Sequence, residues 1–106
     1  MMPQQKEQQI FGNNRLAMRA DVNAEVFLRQ SGSTMFPVTI LDLSLTGFKM
    51  TSRTSLDASK PVFMRMPGLP ILSARIRWEG FLDYGCQFIT PLQPEVLENL
   101  LLRLRG

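Results

Sequence analysis

Apolar and polar residues alternate one for one along several short segments, and this two-residue period constrains the fold more than any other feature of the chain. The clearest segment places its apolar residues at every second position: Leu72, Ala74, Ile76 and Trp78. Successive side chains of a β-strand point to opposite faces, whereas a helix repeats every 3.6 residues. The pattern predicts a strand with Trp78 on its inner face and Ser73, Arg75 and Arg77 on its solvated face.

Five further segments have strand character, and turn signals or polar loops separate them. The predicted strands cover 20–29, 36–43, 47–52, 61–66, 72–78 and 81–89. In the second of these, Leu41 and Leu43 are predicted to enter the core, on the face opposite Ile40 and Asp42. Six short strands at this spacing predict an antiparallel barrel or sandwich.

The last segment changes from a two-residue to a helical period. Pro91 and Pro94 end the sheet, and Pro94 is well placed as a first helical residue. Acidic residues lie near the predicted helix start and basic residues near its end, which complements the helix dipole. One apolar stripe follows at i, i+3, i+4 and i+7, and it can cover a barrel opening or meet another chain: Leu97, Leu100, Leu101 and Leu104.

Length and composition limit the classes of function. The 106 residues favour a single domain, predicted here as a flexible N-terminal tail at 1–14 and a folded domain at 15–106. No apolar run is long enough to span a membrane, and the polar N-terminus does not resemble a signal peptide, so we expect a cytoplasmic protein without membrane partners.

The chain has no histidine and a single cysteine, Cys86. The commonest general base and the usual zinc and iron ligand sets are therefore missing, and we expect neither enzymatic activity nor a metal site. Cys86 is predicted to be a small core residue. A net charge of +3 suits an anionic ligand and equally suits an ordinary surface.

Two short motifs stand out from this β background: Arg15-Leu-Ala-Met-Arg19 and Asp42-Leu-Ser44-Leu-Thr-Gly47. Each is weak alone, because arginines four apart arise by chance and an Asp-x-Ser-x-x-Gly string is a common way to end a strand in a turn. Their occurrence together, in this order and flanking a predicted strand pair, is much more specific.

Together the two motifs resemble the PilZ family, whose members carry RxxxR before the first barrel strand and [D/N]xSxxG at the end of the next. The likeness extends over about residues 10–104 and includes the Trp78 strand, the segment Tyr84-Gly-Cys-Gln-Phe88 and the closing helix. It implies an all-β fold with one C-terminal helix, a six-stranded antiparallel PilZ-type barrel. It also implies a non-enzymatic bacterial receptor for the second messenger cyclic di-GMP, without a further cofactor.

The resemblance assigns the ligand to Arg15, Arg19, Asp42, Ser44 and Gly47, and these residue types suit it chemically. An arginine fork pairs with a phosphate or with O6 and N7 of guanine, and it can stack on a base. Asp42 can accept from the N1-H and N2-H donors that adenine lacks. Ser44 is expected to donate beside Asp42, and Gly47 to allow a positive φ or a close ligand approach.

A domain of this kind must act through a partner, so we expect an unidentified effector that senses ordering of the RxxxR segment. Two alternatives stay open. One is a PilZ-fold adaptor with negligible ligand affinity, suggested by the neutral Asn14, where many ligand-binding relatives carry an arginine. The other is a small nucleic-acid-binding barrel using Arg75 and Arg77. The inward position predicted for Trp78 disfavours nucleic acid as a partner.

Overall fold

The alternating segments form strands that close on themselves. The computed structural model describes residues 19–105, which contain six strands and one helix: β1 (Arg19–Arg29), β2 (Phe36–Ser44), β3 (Gly47–Thr51), β4 (Pro61–Arg65), β5 (Leu72–Glu79), β6 (Asp83–Phe88) and α1 (Pro94–Arg105). All neighbouring strands are antiparallel, in the order β1-β2-β3-β6-β5-β4, and β4 pairs back onto β1. The predicted fold class, a six-stranded antiparallel barrel with one C-terminal helix, is confirmed.

The barrel interior is filled by the apolar positions of the alternating pattern. Met50, Val62, Met64 and Leu28 are fully buried, and the unbranched methionines suit the irregular space inside a small barrel. The leucine stripe of α1 faces this same core: Leu97 and Leu100 are buried, and Leu101 and Leu104 pack at the margin. The helix therefore covers the chain's own core.

A β-bulge in β2 contradicts one of the two inward positions predicted for that strand, Leu41, and confirms the other, Leu43. Ile40 pairs with Met50 and Asp42 pairs with Lys49, so β2 carries one residue more than β3 over this stretch. The extra residue is Leu41, which shifts the alternation by one position. Ile40, predicted to face outward, is consequently fully buried together with Leu43, whereas Leu41 is only half-buried.

A second bulge in β5 overturns the inward position predicted for Trp78. Ile76 pairs with Cys86 and Trp78 pairs with Gly85, so Arg77 is the additional residue. Ile76 keeps its place in the core, but Trp78 is 48% exposed on the outer face of the barrel. The period-two pattern holds up to the bulge and reverses after it.

The end of β1 is tied to the long β3–β4 loop by one buried polar side chain. The Gln30 amide donates to the carbonyl oxygens of Asp57 (2.8 Å) and Lys60 (3.2 Å), and its oxygen accepts from the Asp57 N–H (2.9 Å). At the opposite end of β1, the Arg105 guanidinium donates to the carbonyl oxygen of Asp21 (2.9 Å), which joins α1 to the strand.

The single helix of residues 19–105 is short and partly charged. This helix, the twelve-residue α1, carries charged residues in both its first and its last turn. Across residues 19–105, no helix combines the length and the apolar character needed to cross a membrane.

Candidate ligand-binding site

Pairing of four strands brings chemically distinct side chains into one row across the outer face of the barrel. Asp42 of β2 pairs with Lys49 of β3, Lys49 pairs with Gly85 of β6, and Gly85 pairs with Trp78 of β5. At about 4.8 Å between neighbouring strands, this row spans roughly 14 Å. A carboxylate, an ammonium and an indole are thus aligned within the length of a dinucleotide.

The two bulges are the reason that both ends of this row face outward. Without Leu41 as an extra residue, the side chain of Asp42 could not point outward while Ile40 and Leu43 are both in the core. Without the bulge at Arg77, Trp78 would follow Ile76 into the barrel. Bulges commonly re-aim side chains next to functional sites, and both do so here.

Arg19 lies at the start of β1 and faces the end of β2. Its Cα pairs with that of Ser44, and its guanidinium donates to the Oδ1 atom of Asp42 at 3.3 Å. The Arg19 side chain is 67% exposed, so this ion pair is screened by solvent and contributes at most about 1 kcal/mol. Most of the arginine fork is therefore free to bind an anion.

The hydroxyl of Ser44 is engaged with the β2–β3 turn. It accepts from the N–H groups of Thr46 (3.3 Å) and Gly47 (3.1 Å), and it lies within hydrogen-bond distance of the Gly47 carbonyl oxygen (3.2 Å). These bonds fix the turn that connects the two strands of the site. A bound ligand would have to share this hydroxyl with the turn.

Gly47 lacks the positive φ that was one of the two roles predicted for it. Among residues 19–105, only Gly32 and Gly68 are glycines with positive φ. At Gly47 an added Cβ would overlap the carbonyl oxygen of Cys86 on the paired strand β6. The small residue is required because β3 and β6 approach closely, and the positive φ predicted as one possible reason for it is wrong.

Trp78, Lys49 and Gly85 are site residues that the sequence analysis missed. An added Cβ at Gly85 would overlap the indole of Trp78, so this ring lies directly over the glycine. The ammonium of Lys49 lies 6.0 Å from the centre of the same ring. A glycine inside a strand is a recognised signal of close approach by another group, and Gly85 was the available clue.

Together these residues line an open cleft of about 290 Å³. Its rim also carries Arg77, whose Nε donates to Oε1 of Gln87 at 2.7 Å. Four of the five predicted site residues line the cleft: Arg19, Asp42, Ser44 and Gly47. The fifth, Arg15, lies outside the described residues.

Cys86 contributes to the floor of the cleft and to the barrel core. Burial raises the pKa of its thiol to about 12, because the thiolate would lose its hydration. The thiol therefore stays protonated at neutral pH. Burial disfavours the thiolate, which is the nucleophilic form, and the predicted role as a small core residue fits the burial of Cys86.

The chain is similar to known proteins in its family and in its fold. The family model for the PilZ domain matches residues 13–104, which is most of the chain. Among solved structures, the PilZ domain of CeSA from a cellulose-synthesizing bacterium is similar, with a TM-score of 0.55 and 23% sequence identity over 84% of this chain and 95% of that chain. Among curated proteins, no sequence matches this one.

Proposed function

The chain belongs to the PilZ domain family, and from this premise we propose that it is a non-enzymatic receptor that binds cyclic di-GMP in the cleft between β1, β2, β3, β5 and β6. PilZ domains are generally cyclic di-GMP receptor modules, and they are binding modules rather than enzymes. The proposed ligand residues are Arg15, Arg19, Asp42, Ser44 and Gly47, of which Gly47 acts by allowing the close pairing of β3 and β6.

The single observation that carries the proposal is the arrangement of Arg19, Asp42 and Trp78 around one open cleft. Cyclic di-GMP presents guanine donors, guanine acceptors, base faces and phosphates. Asp42 can accept from N1-H and N2-H, the exposed indole can stack on a base face, and an arginine fork can bind a phosphate or the O6 and N7 edge. Each chemical feature of the ligand has a counterpart in the cleft.

The position of Arg19 also supports a part for Arg15. The two arginines are four residues apart, and a chain of four residues spans at most about 14 Å. The Cα atom of Arg15 therefore lies within about 14 Å of that of Arg19, so its side chain can take part in the cleft, and we assign Arg15 to the second phosphate or to a base edge.

We also propose that the domain relays ligand binding to an effector through its RxxxR segment. Four of the five site residues lie on paired strands, whereas Arg15 precedes β1. Ligand binding would fix the RxxxR segment against the cleft, at a cost of about 1 to 2 kcal/mol for each ordered backbone residue. The newly ordered surface is what an effector protein would recognise.

Isothermal titration with cyclic di-GMP tests the receptor function. We expect micromolar or tighter affinity, which corresponds to about −8 kcal/mol at 1 μM, and much weaker binding of GMP, GTP and cyclic di-AMP. Arg19→Ala and Asp42→Ala should each weaken binding by about 1.5 to 3 kcal/mol with an unchanged folded spectrum, since each removes a charged hydrogen-bond partner. Absence of binding at several hundred micromolar ligand would favour the adaptor alternative.

The outward position of Trp78 favours a second candidate function, binding of single-stranded nucleic acid. An exposed aromatic ring beside Arg75 and Arg77 is the surface that such barrels use for base stacking and backbone contacts. The inward position predicted for Trp78 was the argument against nucleic acid, and the exposed ring removes that argument. Short single-stranded RNA binding more tightly than cyclic di-GMP would support this candidate over the receptor.

A further inference from the structure

We propose that Lys49 is a phosphate-binding cation of the cleft, which covers the indole of Trp78 in the free domain and moves to a phosphate when the dinucleotide binds. The inference rests on the proposed function, because it requires a ligand that has both a base to stack and a phosphate to bind. It concerns a residue outside the two sequence motifs.

The position of Lys49 follows from strand pairing. Lys49 lies between its paired residues Asp42 and Gly85, and Trp78 is the next residue along the same row. Gly85 has no side chain to separate the lysine from the tryptophan. The ammonium of Lys49 lies over the indole ring, 6.0 Å from its centre.

The ammonium of Lys49 lies over the indole ring of Trp78, the surface on which a base would stack. The indole rests on Gly85, so one of its sides is directed toward the sheet and the remaining surface is open to solvent. A guanine that stacks on this open surface must displace the ammonium. The displaced lysine stays inside the cleft, because its flexible stem begins on the floor between Asp42 and Gly85.

The charges of the site make this displacement favourable. Arg19 is already paired with Asp42, and Arg77 has its Nε bonded to Gln87. Across residues 19–105, Lys49 makes no ion pair, and its cation–π contact is at the outer limit of the distance at which such contacts count. A charge-assisted bond to a phosphate is stronger than an exposed cation–π contact, so the lysine gains by moving.

Titrations of four proteins with cyclic di-GMP test the role of Lys49: the wild type, Lys49→Met, Lys49→Arg and Lys60→Met. Lys60 lies in the β3–β4 loop beside Gln30, away from the cleft, and its replacement removes the same unit charge. We expect Lys49→Met to raise the Kd about tenfold, the lower end for a charged hydrogen bond. Lys49→Arg should retain most of the affinity, and Lys60→Met should bind like the wild type.

Fluorescence of Trp78, the only tryptophan of the chain, tests the displacement itself. Lys49→Met should shift the emission of the free protein, because the ammonium leaves the ring, and Lys60→Met should not. With saturating ligand, the wild type and Lys49→Met should have the same emission, because a base then covers the ring in both. Equal free-state emission of these two proteins would overturn the covering position.

The two hypotheses fail in different ways. A wild-type chain that binds no cyclic di-GMP contradicts the receptor function, and with it the role of Lys49. A wild-type chain that binds, with Lys49→Met binding equally well, contradicts the role of Lys49 alone. Equal weakening by Lys60→Met and Lys49→Met would also contradict it, since the effect would then come from net charge.

Discussion

A methyl group added at Gly47 would overlap a backbone atom, the carbonyl oxygen of Cys86, and backbone cannot move aside without disturbing the β3–β6 pairing. We expect Gly47→Ala to lower the free energy of unfolding by about 1 to 3 kcal/mol, the usual cost of overpacking. Urea denaturation measures this loss. Gly80→Ala is the matched control, because its methyl would lie at ordinary contact distances, 3.6 Å from Trp78 and 3.7 Å from Asp83. Equal midpoints for the two variants would contradict the close-approach explanation.

At Gly85 the added methyl would instead meet a side chain, the indole of Trp78, which can rotate away. Gly85→Ala should therefore displace the ring while leaving most of the stability in place. The expected result is a shift in tryptophan emission of the free protein together with weaker cyclic di-GMP binding. Unchanged emission and affinity would show that the ring does not depend on the bare backbone beneath it.

Among the elements, the long β3–β4 loop depends on one side chain for its attachment to β1. Gln30 makes three hydrogen bonds to the loop backbone from a buried position. Gln30→Ala should cost about 1 to 3 kcal/mol of stability, because the three hydrogen bonds between this side chain and the loop backbone are lost. Faster amide exchange at 56–60 would localise the effect, and exposed Gln93→Ala serves as the control. Ligand affinity should not change, since the loop does not line the cleft.

For the molecule as a whole, burial of Cys86 predicts a dependence of stability on alkaline pH. Its folded-state pKa of about 12 lies above the ordinary value of 9.0, so the unfolded chain loses this proton first. The stability that the buried neutral thiol contributes is complete below about pH 9 and is lost as the pH rises toward 12, by up to about 1.4 kcal/mol per unit. Unfolding free energies of wild type and Cys86→Ala, measured between pH 8 and 11, should converge as pH rises. Parallel curves would contradict the prediction.

The proposed relay predicts where amide exchange in the molecule changes when the ligand binds. Cyclic di-GMP should increase amide-exchange protection most between about residues 10 and 20 and change it little along β5, which is already paired on both sides. Exchange with and without ligand, followed by mass spectrometry, measures the difference. Binding without any gain of protection at 10–20 would mean that the signal leaves the domain by another route.

Local patterns in the sequence were sufficient to predict the strands and the helix of this fold. Alternation identified the six strands, and prolines and turn residues marked their ends. A helical period identified α1 and its apolar stripe, of which Leu97 and Leu100 are buried. These features depend on backbone geometry and on burial of one face, which neighbouring residues encode. The RxxxR and DxSxxG motifs likewise pointed to Arg19, Asp42 and Ser44, which lie together at one cleft.

Only the tertiary structure decided which way several of these side chains point. A bulge inserts one residue relative to a paired strand, so it depends on a partner distant in the sequence and leaves no periodic signal. Ile40 and Trp78 were therefore assigned to the wrong faces, and the part of Trp78 in the cleft was missed. The close approach at Gly47 was missed for the same physical reason: the atom that excludes a side chain there belongs to Cys86, thirty-nine positions away in the chain and adjacent only because β3 and β6 pair.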